Sequence, residues 1–143
     1  MARLRLELPA SFPFATELTV RITDLNYGGH LGHDRMLSLL HEARVRFLRL
    51  HGLTEADCGG ASLVVADAAL VYRAEAFAGD VLRIEVAVGD LERVGCDLWY
   101  RVTRSVDHRL VAEARTGLVF LDPVSRRPTA VPAAVRAIAA APS

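Results

Sequence analysis

The 143-residue sequence contains no lysine, only two cysteines and no long hydrophobic run. All 17 basic residues are arginine and they balance 17 acidic residues, so the formal net charge is zero. This balance gives no support for binding to nucleic acid or to a charged membrane surface. No apolar stretch reaches the roughly 18 residues that a transmembrane helix needs, and the N-terminus lacks the pattern of a signal peptide. We therefore expect a cytoplasmic protein with no nucleic-acid or membrane partner.

The two cysteines, Cys58 and Cys96, have neither the spacing of a metal site nor that of a redox motif. Because disulfides are rare in the cytosol, we predict two free thiols. The chain length favours a single domain over residues 1–143. A hydrophobic content of 52% with 24% charged residues is typical of an ordinary globular protein.

Residues 33–51 show the apolar spacing of a long amphipathic helix. The predicted core stripe consists of Met36, Leu37, Leu40, Ala43, Phe47 and Leu48. Gly28 and Gly29 permit a tight turn before this helix, and Gly52 is a plausible stop just after it. The spacing therefore predicts one face packed in the core and one face in water.

Polar side chains crowd the junction between this helix and a first strand predicted over residues 16–23. They are Asp24, Asn26, His30, His33 and Asp34. The first N–H groups of a helix have no partner within the helix and carry partial positive charge. Such a helix start suits an oxygen atom that becomes negative during a reaction. The junction is therefore the candidate site.

The segment DLNYGGHLGH, followed by a helix containing HEARVRFLRLHGL, resembles the hotdog-fold acyl-CoA thioesterases, in particular the 4-hydroxybenzoyl-CoA thioesterase-like family. The resemblance places the aspartate of the family pattern at Asn26 and its acidic predecessor at Asp24. It places the turn glycines at Gly28 and Gly29 and the helix-start position at His33. In that family the aspartate acts as base or nucleophile, and the N–H at the helix start polarises the thioester carbonyl.

Four further strands are predicted over residues 62–80, 82–88, 94–105 and 109–122, from alternating side chains and turn residues. We interpret the first two as a hairpin turning at Gly79 and Asp80, and all four as a meander. Pro132 is expected to start a short C-terminal helix. The element order indicates an α+β class. The resemblance implies a hotdog fold, a curved antiparallel sheet of about five strands wrapped round one long central helix, assembled as a homodimer or homotetramer.

The resemblance also implies a reaction, the hydrolysis of an acyl-CoA or aroyl-CoA to the free acid and coenzyme A. Coenzyme A is then part of the substrate, and no further cofactor is expected. A carboxamide has no accessible basic site, so we expect Asn26 to orient water or substrate while the His33 N–H forms the oxyanion site. The base is left open among Asp24, His30 and the ring of His33, because imidazole titrates near neutral pH.

Asp67 is also a candidate, since a carboxylate within an apolar strand is costly unless it is partnered or functional. We predict that Asp67 and Gly29 contribute to substrate binding. Structural interpretations stay open beside the functional ones. Asn26 fits a turn residue, Asp24 fits a carboxylate that binds turn amides or an arginine, and Asp67 fits a paired strand residue.

No metal site is expected, because the histidine that a helical HEXXH motif requires after His41 and Glu42 is replaced by Val45. The alternative to hydrolysis is a hotdog protein that binds acyl-CoA or another acyl ligand without cleaving it. Asn26 at the position of the family aspartate motivates this alternative.

Overall fold

A five-stranded antiparallel sheet forms the framework of the computed structural model, which describes residues 3–141. The elements are β1 (Phe14–Thr19), a short 3₁₀ helix (Ile22–Asp24), α1 (His33–Leu50), β2 (Ser62–Tyr72), β3 (Val81–Leu91), β4 (Gly95–Arg104), β5 (Leu110–Leu121) and α2 (Ala133–Ala140). The spatial order of the strands is β1-β3-β4-β5-β2. The predicted α+β class with about five antiparallel strands is confirmed, and α1 is the one long helix of residues 3–141.

The core lies between α1 and one face of the sheet. Alternate residues of β3 and β4 point to this face because successive side chains of a strand point to opposite sides. The buried residues of these strands include Leu82, Ile84, Val86, Leu98, Tyr100 and Val102. The polar residues between them, such as Glu85 and Arg101, lie on the opposite face and pair there at 2.9 Å. The alternation seen in the sequence thus determines which face of the sheet carries the helix.

The buried stripe of α1 differs slightly from the predicted one. Leu37 is 44% exposed, whereas Leu39 is buried and takes a place in the core. Leu37 instead lines a groove between α1 and β2. Arg44, on the same side of the helix, is only 5% exposed. A guanidinium in the helix core was not predicted from the apolar spacing.

The predicted hairpin between β2 and β3 is wrong. β2 pairs with β5 at one edge of the sheet, while β3 lies between β1 and β4. Only β3, β4 and β5 form the predicted meander. β2 ends at Tyr72, and residues 73–80 cross the end of the sheet. Alternation within a strand does not determine which strand it pairs with. The crossing segment is anchored at Ala76, which is buried and whose carbonyl accepts a hydrogen bond from the Leu31 N–H at 2.7 Å.

The remaining elements mostly follow the sequence. β1 ends at Thr19, before its predicted end at residue 23. α2 begins directly after Pro132, as expected. Both cysteines are free and buried, as predicted, and burial raises the pKa of Cys58 to about 11 and that of Cys96 to about 12. Across residues 3–141, no helix combines the length and the apolar character needed to span a membrane.

Candidate active site

The turn before α1, the first residue of α1 and the end of β2 enclose a cavity of about 370 Å³. Its lining includes Asn26, His30, Leu31, His33, Tyr72 and Glu75. Three of the residues singled out from the sequence therefore share one cavity, namely Asn26, His30 and His33. The crossing segment after β2 supplies the opposite wall.

The turn itself fixes the orientation of the Asn26 side chain. Asn26 Oδ1 accepts a hydrogen bond from the Gly28 N–H at 3.0 Å, and the Asn26 N–H donates to the His30 carbonyl at 2.9 Å. The oxygen is used by the turn, and Nδ2 lies 3.5 Å from Nδ1 of His30. Because the amide nitrogen carries two hydrogens, it can still donate to a ligand. Gly29 has φ 77°, a conformation that glycine adopts without strain, and donates to the Asn26 carbonyl at 3.1 Å. Gly29 shapes the turn and is not part of the cavity lining.

A close approach explains the other glycine of the turn. A Cβ atom at Gly28 would lie 3.0 Å from Nε2 of His30, so the ring of His30 packs directly over this glycine. A Cβ atom at position 28 would therefore require the imidazole to shift by a few tenths of an ångström.

The start of α1 leaves a backbone donor without a partner within the described part of the chain. The Gly32 N–H donates to the Asp24 carbonyl at 3.0 Å, and Gly32 offers no side-chain cap to the helix. Among residues 3–141, the N–H of His33 has no hydrogen-bond partner. The Tyr72 hydroxyl donates to the His33 carbonyl at 2.7 Å and so ties β2 to the first turn of the helix. Burial, followed by the nearby Asp34, raises the pKa of Tyr72, which keeps this hydroxyl protonated.

Like Arg73, which also lines the cavity, Glu75 was not singled out from the sequence. Its Oε1 lies 3.9 Å from Nε2 of His30, with the two side chains 65% and 32% exposed. The sequence placed Glu75 within a long strand, on the face opposite Ala74 and Ala76. Because β2 ends at Tyr72, the chain turns and brings Glu75 into the cavity instead. The one feature of the sequence that marks the end of the strand is the turn at Gly79 and Asp80, and it comes after Glu75.

The structure does not bring Asp24 into this cavity. Asp24 is 2% exposed, and its Oδ2 accepts a hydrogen bond from the Arg21 N–H at 2.9 Å and lies 3.5 Å from Nε of Arg21. These contacts match the structural interpretation of Asp24 as a carboxylate that holds the turn. Its side chain is therefore poorly placed to act on a substrate beside Asn26.

Asp67, predicted to contribute to substrate binding, does not line this cavity. It sits at an irregularity in the pairing of β2 with β5, where the register shifts between Val65 and Asp67. Its carboxylate accepts a hydrogen bond from Arg115 at 3.1 Å, and Arg115 also donates to Asp97 at 2.8 Å. Asp67 therefore stays solvated and paired with Arg115, so its charge needs no functional explanation.

The side chains of the cavity were also compared with the ligand sets of metal sites. Among residues 3–141, no group of three or more His, Cys, Asp and Glu side chains is arranged to hold a metal ion. The polar residues that line the cavity are Asn26, His30, His33, Tyr72, Arg73 and Glu75, and Arg73 pairs with Glu113 at 2.9 Å.

Comparison with solved structures gives several close matches in fold. The 1,4-dihydroxy-2-naphthoyl-CoA thioesterase from Synechocystis matches with a TM-score of 0.80 and 21% identity, over 88% of this chain and 94% of that one. A thioesterase from Thermus thermophilus, solved in complex with coenzyme A and Zn, matches with a TM-score of 0.77 and 26% identity, over 92% of this chain and all (100%) of that one. The predicted hotdog fold is confirmed by these matches.

The sequence itself also matches a family model. No curated protein sequence matches the chain. Residues 20–138, however, match the model of the thioesterase-like superfamily, and this range includes the turn, all of α1 and the whole cavity lining. Both comparisons agree with the function predicted from the sequence. The chain belongs to the thioesterase-like superfamily.

Proposed function

We propose that the protein hydrolyses an acyl-CoA thioester to the free acid and coenzyme A, at the cavity between the turn and α1. The observation that carries this proposal is that Asn26, His30, His33 and Glu75 all line one cavity. The Thermus thermophilus relative, at 26% identity, was solved with coenzyme A bound. Coenzyme A enters as part of the substrate, and the proposal needs no other cofactor.

The carbonyl oxygen of the thioester is held by two donors, the His33 N–H and Asn26 Nδ2. Both donors are fixed before substrate arrives, since α1 holds the first and the Gly28 contact orients the second. Donors aimed at an oxygen that gains negative charge lower the barrier, and loss of one typically costs about 100-fold to 1,000-fold in rate.

The His30 and Glu75 pair supplies the base. The gap of 3.9 Å between Nε2 and Oε1 is too long for a direct hydrogen bond and leaves both groups able to contact a water molecule. The pair takes a proton as the water oxygen attacks the carbonyl carbon. When the tetrahedral intermediate collapses, the C–S bond breaks, and the same proton passes to the departing thiolate sulfur. Glu75 thus replaces the carboxylate that the family pattern places at Asn26.

Assembly into a homodimer or a larger homo-oligomer is part of the proposal. β2 is an edge strand of 11 residues, and the residues at its centre, Val65, Ala66, Asp67 and Ala68, are exposed. A long apolar edge with unpaired backbone groups favours pairing with another chain. We expect two β2 edges to pair and Ala66→Lys to weaken the pairing, as measured by sedimentation equilibrium. The two buried free thiols suit the reducing cytoplasm, where we place the protein.

The test is release of free thiol from a panel of short, long and aromatic acyl-CoAs, comparing the wild type with Asn26→Ala. We expect hydrolysis by the wild type and a rate at least about 100-fold lower in the variant, with little change in melting temperature because Asn26 is exposed. Equal rates in the two proteins would remove Asn26 from the site. Saturable binding of an acyl-CoA without hydrolysis of any member would establish the alternative, a protein that binds the ligand without cleaving it.

A further inference from the structure

A second cavity, of about 260 Å³, lies along the same seam between α1 and β2. The first cavity is bordered by His33 at the start of α1 and Tyr72 at the end of β2. The second lies further along both elements, with apolar walls made by Leu37, Leu40, Val65 and Ala68. Arg44 and Thr116 also line it. A concave, largely apolar surface with a few fixed polar groups is the usual form of a small-molecule site.

The polar groups of this second cavity belong to a buried hydrogen-bond network. Arg44 Nε donates to Glu55 Oε2 at 2.9 Å, and its Nη1 donates to the Tyr100 hydroxyl at 3.2 Å. The Tyr100 hydroxyl in turn shares a hydrogen bond with Thr116 Oγ1 at 2.8 Å. Tyr100 and Thr116 are 0% and 2% exposed. The network therefore fixes both the guanidinium and the Thr116 hydroxyl at the cavity wall.

The guanidinium keeps hydrogen-bonding capacity for a ligand. An arginine carries five N–H donors, and the bonds to Glu55 and Tyr100 use two of them. Its charge is already balanced by the carboxylate of Glu55, which lies 2.9 Å from Arg44 Nε. A balanced guanidinium favours a neutral oxygen acceptor over a second carboxylate, because a further anion would lie close to Glu55.

The spacing along α1 matches one acyl group reaching between the two cavities. Five to eight residues separate His33 from Ser38 and His41, which both line the second cavity. At 1.5 Å per residue, the near wall of the second cavity is about 7.5–12 Å along the helix from His33. Arg44, eleven residues after His33, is about 16.5 Å along it, and side chains on a helix lean back toward its N-terminus. We propose that the second cavity receives the far end of the acyl group, and that Arg44 and Thr116 select acyl groups carrying a neutral hydroxyl or carbonyl oxygen at that end. This inference rests on the proposed thioesterase function and adds its substrate class.

The test compares pairs of acyl-CoAs of equal length, with and without a terminal hydroxyl, over acyl chains of six, eight and ten carbons. In the wild type we expect the best hydroxylated member to exceed its plain partner by about tenfold or more in kcat/KM, because a site built to bind a hydroxyl penalises its absence. Arg44→Met should bring this ratio close to one. Arg49→Met, an exposed arginine in the last turn of the same helix, is the matched control and should keep the wild-type ratio.

The second variant and the possible outcomes separate the inference from the proposed function. Thr116→Val is the second variant, and it should also lower the ratio even where Arg44→Met does not fold. Hydrolysis of both members of every pair at equal rates by the wild type overturns the inference and leaves the proposed function standing. A ratio unchanged in folded Arg44→Met or in Thr116→Val overturns it as well. Failure to hydrolyse any acyl-CoA overturns the proposed function and this inference with it.

Discussion

The two ends of α1 carry polar groups in opposite states. At the N-terminal end Asn26, His30 and Glu75 are open to a cavity and loosely connected, with 3.9 Å between the last two. Toward the C-terminal end Arg44 and Tyr100 are buried and joined at 3.2 Å. Buried polar groups held in a hydrogen-bond network stabilise a structure, whereas open and loosely connected groups stabilise it less and are available for chemistry. The comparison suits the N-terminal end of α1 to catalysis and the buried end to stability and substrate recognition.

Removal of the carboxylate at the open end should have the largest effect. Glu75→Gln should lower kcat by about 100-fold, since a positioned acid or base contributes about 100-fold to 10,000-fold. The melting temperature should hardly change because Glu75 is exposed. Steady-state thiol release across pH checks the rate, with Glu42→Gln as the control, because Glu42 pairs with Arg46 on the outer side of α1 at 2.7 Å. A variant with the wild-type pH profile would rule Glu75 out as part of the base.

Removal of a hydroxyl at the buried end should affect stability. Tyr100→Phe leaves Arg44 Nη1 and Thr116 Oγ1 without their shared partner, so the free energy of unfolding should fall by about 1–3 kcal/mol. Urea denaturation measures the change. Tyr27→Phe is the matched control, because Tyr27 is fully exposed, and it should stay within about 0.5 kcal/mol of the wild type. A loss as small as that of the control would mean that the network is not stabilising.

The buried end should also make stability depend on pH. Burial acts to raise the pKa of Glu55, but the hydrogen bonds from His41 and Arg44 outweigh it, and the net pKa is lowered. A lowered folded-state pKa stabilises the fold above the pKa of the unfolded chain, and this contribution is lost as pH falls through the folded value. Glu55→Gln should therefore cost about 1–2 kcal/mol at pH 7 and progressively less below pH 4.5, the ordinary value for this group. Denaturation at a series of pH values checks the sign, and a cost that grows on acidification would contradict it.

The smallest effect concerns the two thiols, which report how tightly the interior is closed. Burial raises the pKa of Cys58 to about 11 and that of Cys96 to about 12, so little thiolate forms at neutral pH. We expect negligible reaction of the native protein with an aromatic disulfide reagent over minutes, and two thiols per chain after unfolding in urea. Tyr100→Phe should react faster than Tyr27→Phe. Rapid native labelling would show that the interior opens.

The sequence predicted the parts of the molecule that depend on local spacing. Alternation identified the strands, and the apolar stripe identified α1, because both follow from side-chain direction along one element. The crowding of Asn26, His30 and His33 at one junction was likewise visible, since these residues are close along the chain. Of the five polar residues at that junction, the structure places Asn26, His30 and His33 in the cavity lining, and not Asp24 or Asp34.

The sequence failed where distant segments meet. Glu75 enters the cavity only because β2 stops at Tyr72 and the chain crosses the sheet, and β2 pairs with β5 instead of β3. Arg44 fits a solvent-facing position by type, yet it is buried because Tyr100 and Glu55, from separate elements, supply its acceptors. Asp67 drew attention by its apolar neighbours, but its partner Arg115 lies on another strand. Contacts between distant segments cannot be predicted from the periodicity of one segment.

The Tyr72 hydrogen bond to the His33 carbonyl joins the edge strand to the first turn of α1. If two β2 edges pair in the assembly, subunit association and the geometry of the carbonyl-binding donor are linked through this one contact. Specific activity would then depend on enzyme concentration by mass action. A dilute sample would lose activity while each chain still kept its fold.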